Sequence, residues 1–403
     1  MMKAAVLGYG TVGSGVVEVL QKNKEEISRK LQDEIEVKYI LDLREFPGDP
    51  NENLVVHDYQ TILDDEEVMI ICETMGGVEP AYTFSKKALL KGKSVCTSNK
   101  ELVAAHGPEL IRIARENHCN YMFEASVGGG IPIIRPLNSS LTPEKIEGIT
   151  GILNGTTNFI LTKMRDEGAD FNSVLKEAQD MGYAEKNPEA DVEGHDAGRK
   201  IAILSSLMYG ETVKYADVYT EGITKISPVD FELAKQAGYV IKLLAMSKAN
   251  DGRPYAMVAP FLVSKANPLF AVDGVFNGIL VRGNMLGNTM YYGAGAGKLP
   301  TASAVVSDVV DCARHKGVTI SCNWLEKEKK MNGIEEVSRR FFVRFDADSK
   351  SDLEQLKELF SAEKVIESET DGFAFITKNM SEADYKMKAE TVDCIKGMIR
   401  IEE

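Results

Sequence analysis

The stretch Gly8-Tyr9-Gly10-Thr11-Val12-Gly13 decides the fold, because it reads G-x-G-x-x-G and directly follows the apolar run Ala4-Ala5-Val6-Leu7. In this pattern the first glycine allows a tight turn, the second lets the backbone approach phosphates, and the third lets a helix pack closely on a strand. The pattern alone is weak in a chain with 34 glycines, and the alternative is a plain β–α turn. Its place between a predicted strand and a predicted helix supplies the context that the motif requires, since the helix N-terminus offers N–H groups to a pyrophosphate. We therefore predict a dinucleotide-binding loop formed by Gly8, Gly10, Thr11, Val12 and Gly13.

Short apolar runs alternate with amphipathic stretches over residues 1–130. Continuous apolar runs such as Val68-Met69-Ile70-Ile71 suit strands that are buried on both faces of a parallel sheet. The predicted strands are Lys3–Leu7, Val37–Leu41, Val68–Glu73, Ser94–Thr97 and Tyr121–Glu124, and the predicted helices are Val12–Lys24, Pro80–Lys91 and Glu101–Asn117. This order predicts an α/β domain with a doubly wound parallel sheet of the Rossmann type over 1–130. A helix at about 300–318 is expected to pack back on it.

The character of the sequence changes after residue 130. Helix-like stretches (Asn158–Arg165, Phe171–Met181 and His195–Met208) precede β-rich sequence from Tyr239 to Tyr292, which predicts an α+β domain over 131–300. A charged stretch, Glu326–Asn332, is the predicted linker to a third domain over 338–403. Its elements read β-α-β-β-α-β: Phe341–Asp346, Ser351–Phe360, Lys364–Glu369, Phe373–Thr377, Glu382–Ile395 and Met398–Ile401.

Composition narrows the class of protein. A length of 403 residues suggests two or three domains, and a net charge of −14 argues against a nucleic-acid binder. No apolar run reaches the roughly 20 residues that cross a bilayer. The first residues lead directly into an apolar strand-like run without a basic region and a small-residue cleavage site, so we do not expect secretion. The six cysteines are scattered, as expected for reduced thiols. We expect a soluble cytoplasmic protein that binds neither nucleic acid nor membrane.

The end of the second predicted strand bears on the choice between NAD and NADP. It reads Ile40-Leu41-Asp42-Leu43-Arg44. Asp42 could accept a hydrogen bond from a ribose 2′-hydroxyl, whereas Arg44 could pair with a 2′-phosphate. The sequence carries both signals and leaves the choice open.

A second informative segment runs from Ala178 to Lys200. Asp196 and Lys200 are four residues apart, so they share one face of a predicted helix. Such a pair is most often a solvated surface pair. Here the flanking positions are apolar, so we expect the helix to be buried. A buried lysine requires a charged partner or a function. The apolar positions are Ala197, Ile201, Ala202, Leu204 and Leu207.

This segment resembles the signature of homoserine dehydrogenases. The matching positions are Ala178, Gly182, Asn187, Pro188, Asp191, Gly194, Asp196 and Lys200. Three further stretches are similar to the family: Thr97–Ala104, Glu124–Pro132 and Gly151–Ile160. The resemblance spans roughly residues 1–320.

The resemblance implies reversible reduction of L-aspartate 4-semialdehyde to L-homoserine with NADP or NAD, in the biosynthesis of threonine, methionine and isoleucine. It assigns Lys200 as proton donor and acceptor, places Lys100 near nicotinamide and substrate, and lets Asp196 bind the substrate by orienting both the lysine and the substrate hydroxyl. Two lysines close together would depress each other's pKa, because like charges oppose protonation. Further cofactor contacts are implied for Ser98, Gly182 and Gly297.

The resemblance also implies a substrate site and a cation site. Glu185 matches the glutamate that binds the substrate ammonium, Asp191 is a second carboxylate, and Thr156 or Thr157 is expected at the substrate carboxylate. A monovalent cation, usually sodium, is expected at Glu124, Val127, Gly129 and Ile131. The five histidines are too dispersed for a zinc or histidine-based catalytic site, and His195 is interpreted as a bystander.

The tail resembles an ACT regulatory domain. The usual D-x-P-G-V turn is replaced by Asp346-Ala347-Asp348-Ser349-Lys350-Ser351-Asp352. We therefore expect threonine to bind there weakly or not at all. The β-rich region and the family favour a homodimer or a higher homo-oligomer.

Two other functions compete with this interpretation. One is a related amino-acid or aldehyde dehydrogenase of the same fold. The other is a non-catalytic, ACT-bearing amino-acid sensor. A sensor would be expected to lose Lys200, Asp196 or Glu185, and all three are intact.

Overall fold

The structure is a computed structural model that describes residues 1–250, 252–368 and 372–402. The chain forms two compact units. Unit 1 comprises Met1–Glu144, Ile203–Val213 and Gly293–Lys329, and unit 2 comprises Lys145–Ala202, Lys214–Tyr292 and Lys330–Glu403. In the described ranges no helix combines the length and apolar character needed to span a bilayer.

The strands of the described residues are β1 (Met2–Leu7), β2 (Ile35–Leu41), β3 (Val55–Val56), β4 (Val68–Glu73), β5 (Ser94–Thr97), β6 (Tyr121–Met122), β7 (Ile146–Ile152), β8 (Glu211–Thr212), β9 (Tyr219–Thr220), β10 (Tyr239–Asn250), β11 (Arg253–Ser264), β12 (Phe276–Gly283), β13 (Gly287–Ala294), β14 (Leu325–Glu328), β15 (Ser338–Arg339), β16 (Phe341–Phe345), β17 (Ala362–Glu367), β18 (Phe373–Thr377), β19 (Met380–Ser381) and β20 (Ile395–Glu402). The helices are α1 (Thr11–Lys22), α2 (Lys24–Leu31), α3 (Tyr59–Asp64), α4 (Ala81–Leu90), α5 (Lys100–Glu116), α6 (Ile134–Asn138), α7 (Gly155–Glu167), α8 (Phe171–Asp180), α9 (Glu189–Val192), α10 (His195–Tyr209), α11 (Pro228–Ala237), α12 (Lys298–Arg314), α13 (Leu353–Leu359) and α14 (Glu382–Ala389).

Unit 1 contains a parallel sheet of six strands in the order β3-β2-β1-β4-β5-β6. This is the strand order of a dinucleotide-binding sheet, whose ligands lie beyond the carboxyl ends of the strands. The strands β1, β4 and β5 are almost wholly buried because they carry continuous apolar runs. Helix α12 packs against α1, and Gly15 allows this approach, since a Cβ there would lie 2.9 Å from the Cβ of Ala302. The predicted doubly wound sheet is confirmed.

Unit 2 is built on a mixed sheet with the strand path β13-β12-β7-β10-β11-β20-β16-β18-β17, and β9 also pairs with β11. The long antiparallel pair of β10 and β11 forms its centre. Helices α7 and α11 pack against β10. This arrangement places the N-terminus of α7 and the start of α10 in one unit with the central strands.

The C-terminal strands are continuous with this sheet. They follow the order β20-β16-β18-β17, and β20 pairs in parallel with β11 at Phe261↔Arg400. A partly buried ion pair adds to the junction, because Arg344 Nε on β16 donates to Oδ1 of the buried Asp230 of α11 at 2.7 Å. The sequence placed these residues, 338–403, in a third domain; in the structure they share the sheet of unit 2.

Several predicted boundaries differ from the observed ones. The predicted helix Glu382–Ile395 is wrong at its C-terminal end, because α14 ends at Ala389 and Ile395 begins β20. The predicted linker Glu326–Asn332 is partly a strand, since β14 pairs with β8. The predicted strand at Lys364–Glu369 corresponds to β17, and Glu369 lies outside the described residues.

Candidate active site

The loop between β1 and α1 has the geometry that its glycines predict. Gly8 adopts a φ of +88°, which an L side chain rarely allows. A Cβ on Gly13 would lie 1.8 Å from the carbonyl oxygen of Gly8, so only glycine fits there. Thr74 holds the loop from the neighbouring strand, with its Oγ1 2.9 Å from the carbonyls of Leu7 and Gly8. Thr11 begins α1, and Val12 packs against the core, so the helix N-terminus opens beside the loop.

A cavity of about 500 Å³ opens beside this loop. Its lining combines apolar side chains with the charged end of β2: Gly8, Leu41, Asp42, Leu43, Arg44, His57, Tyr59, Met75, Pro80 and Phe84. The size and the mixed lining suit the adenosine end of a dinucleotide at the carboxyl edge of the sheet. The residues present therefore fit the predicted cofactor.

Asp42 and Arg44 form an ion pair with each other inside this lining. Arg44 Nε and Nη2 donate to the two carboxylate oxygens of Asp42, each at 2.9 Å. The backbone N–H of Tyr9 also donates to Asp42 at 2.8 Å. The hydrogen-bonded guanidinium is the main reason why the pKa of Asp42 lies well below its ordinary value. The two residues that carry opposite cofactor signals are thus partners in one bidentate pair.

The loop after β5 prepares the start of α5. Asn99 caps the helix, since its side chain accepts a hydrogen bond from Leu102 N at 3.1 Å. Lys100 is the first residue of α5, and Ser98 N donates to the carbonyl of Glu73 at 3.3 Å. The structure therefore places Ser98 and Lys100 at the carboxyl edge of the parallel sheet. Gly297, another predicted cofactor contact, precedes α12 in unit 1 with a φ of +115°.

The Asp196–Lys200 pair is buried in unit 2. Lys200 is 9% exposed and Asp196 3% exposed, so the pair is not the solvated surface pair of the alternative interpretation. Lys200 Nζ lies 2.8 Å from Asp196 Oδ2 and donates to the carbonyl of Leu153 at 2.8 Å. The ammonium is therefore held at a fixed position at the end of β7.

Asn154 is a site residue that sequence reasoning did not single out. Its Nδ2 donates to Asp191 Oδ1 at 2.7 Å and to Asp196 Oδ2 at 3.0 Å. Its Oδ1 caps α7 by accepting from Thr157 N at 2.9 Å. The side chain thus ties two predicted substrate carboxylates to the N-terminus of a helix. The available signal was an asparagine that directly follows an apolar run and precedes Gly155, as N-caps do.

The other predicted substrate residues differ in their surroundings. Glu185 is exposed on the loop after α8. The Thr156 hydroxyl donates to the carbonyl of Tyr183 at 2.6 Å, and the Thr157 hydroxyl lies 3.1 Å from Asn154 Oδ1. Gly182 lies just after α8 and has a φ of +75°.

His195 contacts a tyrosine. Its Nδ1 lies 2.8 Å from the hydroxyl of Tyr215. This hydrogen bond gives His195 a structural role, so no role in the chemistry is needed to explain its presence.

Glu124 uses its carboxylate to hold the backbone of unit 1. It is buried, and its oxygens accept from Ile133 N at 2.5 Å, Ile134 N at 2.8 Å and Arg135 N at 2.7 Å. Gly129 has a φ of +57°. Val127 and Ile131 are buried on either side of it. In the part of the chain that the structure describes, no cluster of three or more His, Cys, Asp or Glu side chains is placed to hold a metal ion.

Two family models match the chain. The model described as "Homoserine dehydrogenase, NAD binding domain" matches residues 8–124. The model described as "Homoserine dehydrogenase" matches residues 132–310. Together they cover the phosphate loop, the Lys100 segment and the Asp196–Lys200 pair.

Individual proteins are similar over almost the whole chain. The homoserine dehydrogenase of Synechocystis sp. is 41% identical over 430 residues, which cover 99% of this chain and 98% of that protein. A crystal structure of a homoserine dehydrogenase from Thiobacillus denitrificans is 36% identical and has a TM-score of 0.91, covering 100% of this chain and 98% of that one. A hyperthermophilic archaeal homoserine dehydrogenase mutant in complex with NADPH has a TM-score of 0.65 at 30% identity, covering 77% of this chain and 97% of that one.

Proposed function

The chain belongs to the homoserine dehydrogenase family and is an oxidoreductase, and from this premise we propose that it interconverts L-aspartate 4-semialdehyde and L-homoserine with Lys200 as the proton-transferring residue. The observation that carries the proposal is the buried ammonium of Lys200, held between Asp196 Oδ2 and the carbonyl of Leu153. A charged group is kept in such a place only with partners or for chemistry. Here the two partners, Asp196 and the carbonyl of Leu153, also fix the direction of the Lys200 side chain.

The chemistry requires a proton at the oxygen that becomes the hydroxyl of homoserine. NAD(P)H, when bound, supplies the hydride to the aldehyde carbon. Lys200 gives its proton to the forming alkoxide and is left as a neutral amine, and in the reverse direction it takes the hydroxyl proton back. Asp196 orients the lysine, and Lys100, at the N-terminus of α5, is proposed to add positive charge near the reacting oxygen.

Carboxylates of unit 2 are proposed to bind the substrate ammonium. Asp191 is held by Asn154 and is suited to this role, and Glu185 is exposed on the loop after α8. The Thr156 hydroxyl already donates to the carbonyl of Tyr183. Its proposed role at the substrate carboxylate would require that hydrogen bond to break.

Asp42 and Arg44 are proposed to make the cofactor choice together. A ribose 2′-hydroxyl could donate to Asp42 without disturbing the ion pair, whereas a 2′-phosphate would compete with Asp42 for Arg44. The structure of the similar hyperthermophilic archaeal homoserine dehydrogenase mutant is a complex with NADPH. We propose that the chain accepts both NAD and NADP and that the ion pair limits the preference for either.

We also propose the monovalent cation at the glycine-rich loop. The Glu124 carboxylate is occupied by three backbone N–H groups, so the main-chain carbonyls of Glu124, Val127, Gly129 and Ile131 are the proposed ligands. Thermal unfolding in sodium chloride and in choline chloride at equal ionic strength tests this. The same midpoint temperature of unfolding in both salts would contradict a bound sodium ion.

The C-terminal strands are proposed to form a divergent ACT-like region that responds weakly or not at all to threonine. A 3-10 turn, Ala347–Asp352, stands where the usual effector turn is expected. Threonine titrated into assays in both directions is expected to cause little inhibition. Strong inhibition at sub-millimolar threonine would refute the proposal.

The cytoplasmic location stays a prediction.

The sheet of unit 2 supports the proposed homodimer. Its edge hairpin, β12–β13, exposes Met285 at 82% and Tyr292 at 54%, and the rings of Phe276 and Tyr292 stack at 5.3 Å. Exposed apolar groups of this kind mark association surfaces. Light scattering after gel filtration tests the proposal, and a monomer at micromolar concentration would contradict it.

Replacement of Lys200 tests the proposed function. Lys200→Ala is expected to lower kcat by roughly 10²–10⁴-fold, the usual contribution of a positioned acid or base. Cofactor binding, measured by the fluorescence of NADPH on titration, is expected to stay within about twofold. Lost NADPH binding would mean that Lys200 serves the cofactor, and an unchanged kcat would refute its role in proton transfer.

A further inference from the structure

A fully buried carboxyl group at the end of β4 is not used by the mechanism above. Glu73 is 0% exposed, and among the described residues no lysine, arginine or histidine forms an ion pair with it. Burying a carboxylate without a counter-ion is costly. Such a group persists where its hydrogen bonds have a function.

The hydrogen bonds of Glu73 reach two loops. Its Oε1 accepts from the backbone N–H of Met75 at 2.7 Å, just after β4. Its Oε2 lies 2.5 Å from the Oγ1 of Thr97, the last residue of β5. The two loops that follow β4 and β5 are therefore fastened to one carboxyl group.

The network continues from Thr97 to the start of α5. Thr97 Oγ1 accepts from Asn99 N at 2.9 Å, and the Asn99 side chain caps the helix whose first residue is Lys100. Asn99 Nδ2 also donates to the carbonyl of Gly77 at 2.6 Å, which closes the network back onto the loop after β4. A shift of the Glu73 carboxyl would thus be passed to the backbone that carries Lys100.

The neighbour of Glu73 links the same network to the phosphate loop. The Thr74 hydroxyl donates to the carbonyls of Leu7 and Gly8, and a Cβ on Gly13 would lie 2.8 Å from its oxygen. In a doubly wound sheet these carboxyl-end loops surround the cofactor. Glu73 therefore lies next to the loops that are expected to hold the phosphates and the nicotinamide of the cofactor.

We propose that Glu73 is a positioning residue for hydride transfer, whose carboxyl group holds the loops after β4 and β5 in the arrangement that presents Lys100 to the cofactor and substrate. The proposal rests on the proposed dehydrogenase function. It adds a residue that acts through Thr97 and Asn99 and touches neither substrate nor cofactor.

Burial and the hydrogen bonds of this network act on the protonation of Glu73 in opposite directions, and burial has the larger effect. Burial raises its pKa from an ordinary 4.5 to about 7, although the hydrogen bonds from Thr97, Met75 and Asn99 oppose the shift. When the carboxyl is ionised, the Thr97 hydroxyl donates to Oε2 and Met75 N donates to Oε1. When it is protonated, the Thr97 hydroxyl turns to accept from Oε2–H, Oε1 keeps Met75 N, and the buried site is relieved of an uncompensated charge. Because the folded pKa lies above the ordinary one, this stabilisation is present at low pH and is lost as the pH rises through about 7.

Tyr121 is the titratable side chain that faces Glu73 from β6. The Glu73 charge adds to the burial that raises the pKa of Tyr121 well above its ordinary value. Within the described residues its hydroxyl is buried and has no hydrogen-bond partner. It is therefore the matched control for a pH effect that is assigned to Glu73.

The test compares the pH profiles of wild type, Glu73→Gln, Glu73→Ala and Tyr121→Phe. Homoserine oxidation is followed from about pH 5.5 to about pH 9, with thermal unfolding of each variant at each pH. Glutamine reproduces the protonated carboxyl, with its oxygen toward Met75 N and its amide toward Thr97. The ratio of kcat for Glu73→Gln to kcat for wild type is expected to rise with a midpoint near pH 7, whereas the ratio for Tyr121→Phe stays flat.

Glu73→Ala is expected to lower kcat by about tenfold or more while KM for homoserine changes by less than about threefold. A flat ratio for Glu73→Gln over the whole pH range would overturn the proposal, and so would wild-type kcat in Glu73→Ala. If Glu73→Ala does not fold, the pH dependence of the kcat ratio of Glu73→Gln to wild type decides whether the proposal stands. A wild type without activity at any pH would instead refute the dehydrogenase function itself.

Discussion

Asp42 and Arg44, at the end of β2, were opposing signals in the sequence and are a bidentate ion pair in the structure. Residue types alone could not reveal this, because the pairing depends on the turn that brings Arg44 back over Asp42. The consequence is that neither residue can be altered without changing the other.

Neutralising Asp42 should shift the cofactor preference. Asp42→Asn removes a carboxylate that would repel a 2′-phosphate and weakens its hold on Arg44. The ratio of kcat/KM for NADP to kcat/KM for NAD is expected to rise by roughly tenfold, equivalent to about 1.4 kcal/mol. Arg44→Ala is the opposing variant, and its ratio should fall. An unchanged ratio in both variants would show that this end of β2 does not contact the ribose.

Asn154 joins two predicted substrate carboxylates to a helix cap. Asn154→Ser keeps a capping oxygen but removes the amide that donates to Asp191 and Asp196. Hydrogen bonds to charged groups are worth about 1.5–3 kcal/mol, so kcat/KM for homoserine should fall by about tenfold to a hundredfold. Asn267→Ser is the matched control, because Asn267 also caps a turn in unit 2. Equal kcat/KM in the two variants would contradict the role of Asn154.

At the scale of elements, the sequence predicted the strands that carry a clear apolar pattern and missed a helix that lacks one. Strands β4 and β5 were predicted with their observed bounds because they are continuous apolar runs. Helix α2 was missed because it is mostly charged and has no buried residue. The predicted strand Tyr121–Glu124 ends at Met122, since Glu124 begins a 3-10 turn.

The same limit applies to the candidate site. Local sequence could place Asp196 and Lys200 on one helix face, because their spacing is fixed by the helical repeat. It could not find Asn154 beside them, since that contact spans 42 residues. Nor could it show that β20 joins β11, because strand partners are set by the whole sheet and not by either strand.

The ion pair between β16 and α11 makes a prediction about elements. Arg344→Met leaves Asp230, which is 1% exposed, without its guanidinium partner. Breaking a buried pair on one side costs on the order of 3–5 kcal/mol in free energy of unfolding. Arg282→Met is the control, because its pair with Glu147 is exposed and should cost less than about 1 kcal/mol. Denaturant unfolding measures both, and equal losses would contradict the importance of the junction.

At the scale of the whole molecule, the continuity of the sheet in unit 2 predicts the result of a truncation. Removing residues 338–403 would expose the edge of β11 at Phe261, Leu262 and Val263, which are fully buried in the intact chain. Exposed apolar strand edges associate. The truncated protein is expected to bind a hydrophobic dye and to elute as aggregates in gel filtration. A monodisperse, fully active truncation would mean that these residues form an independent domain.

Family membership, the phosphate loop and the buried Lys200 pair together make one claim, that the intact protein oxidises homoserine with a pyridine nucleotide. The most direct measurement is the absorbance of reduced cofactor formed from L-homoserine with NAD and with NADP in parallel. The account predicts turnover with both nucleotides, and none when another small hydroxylated amino acid such as serine replaces homoserine. Absence of turnover with either nucleotide, or equal turnover with serine, would contradict it.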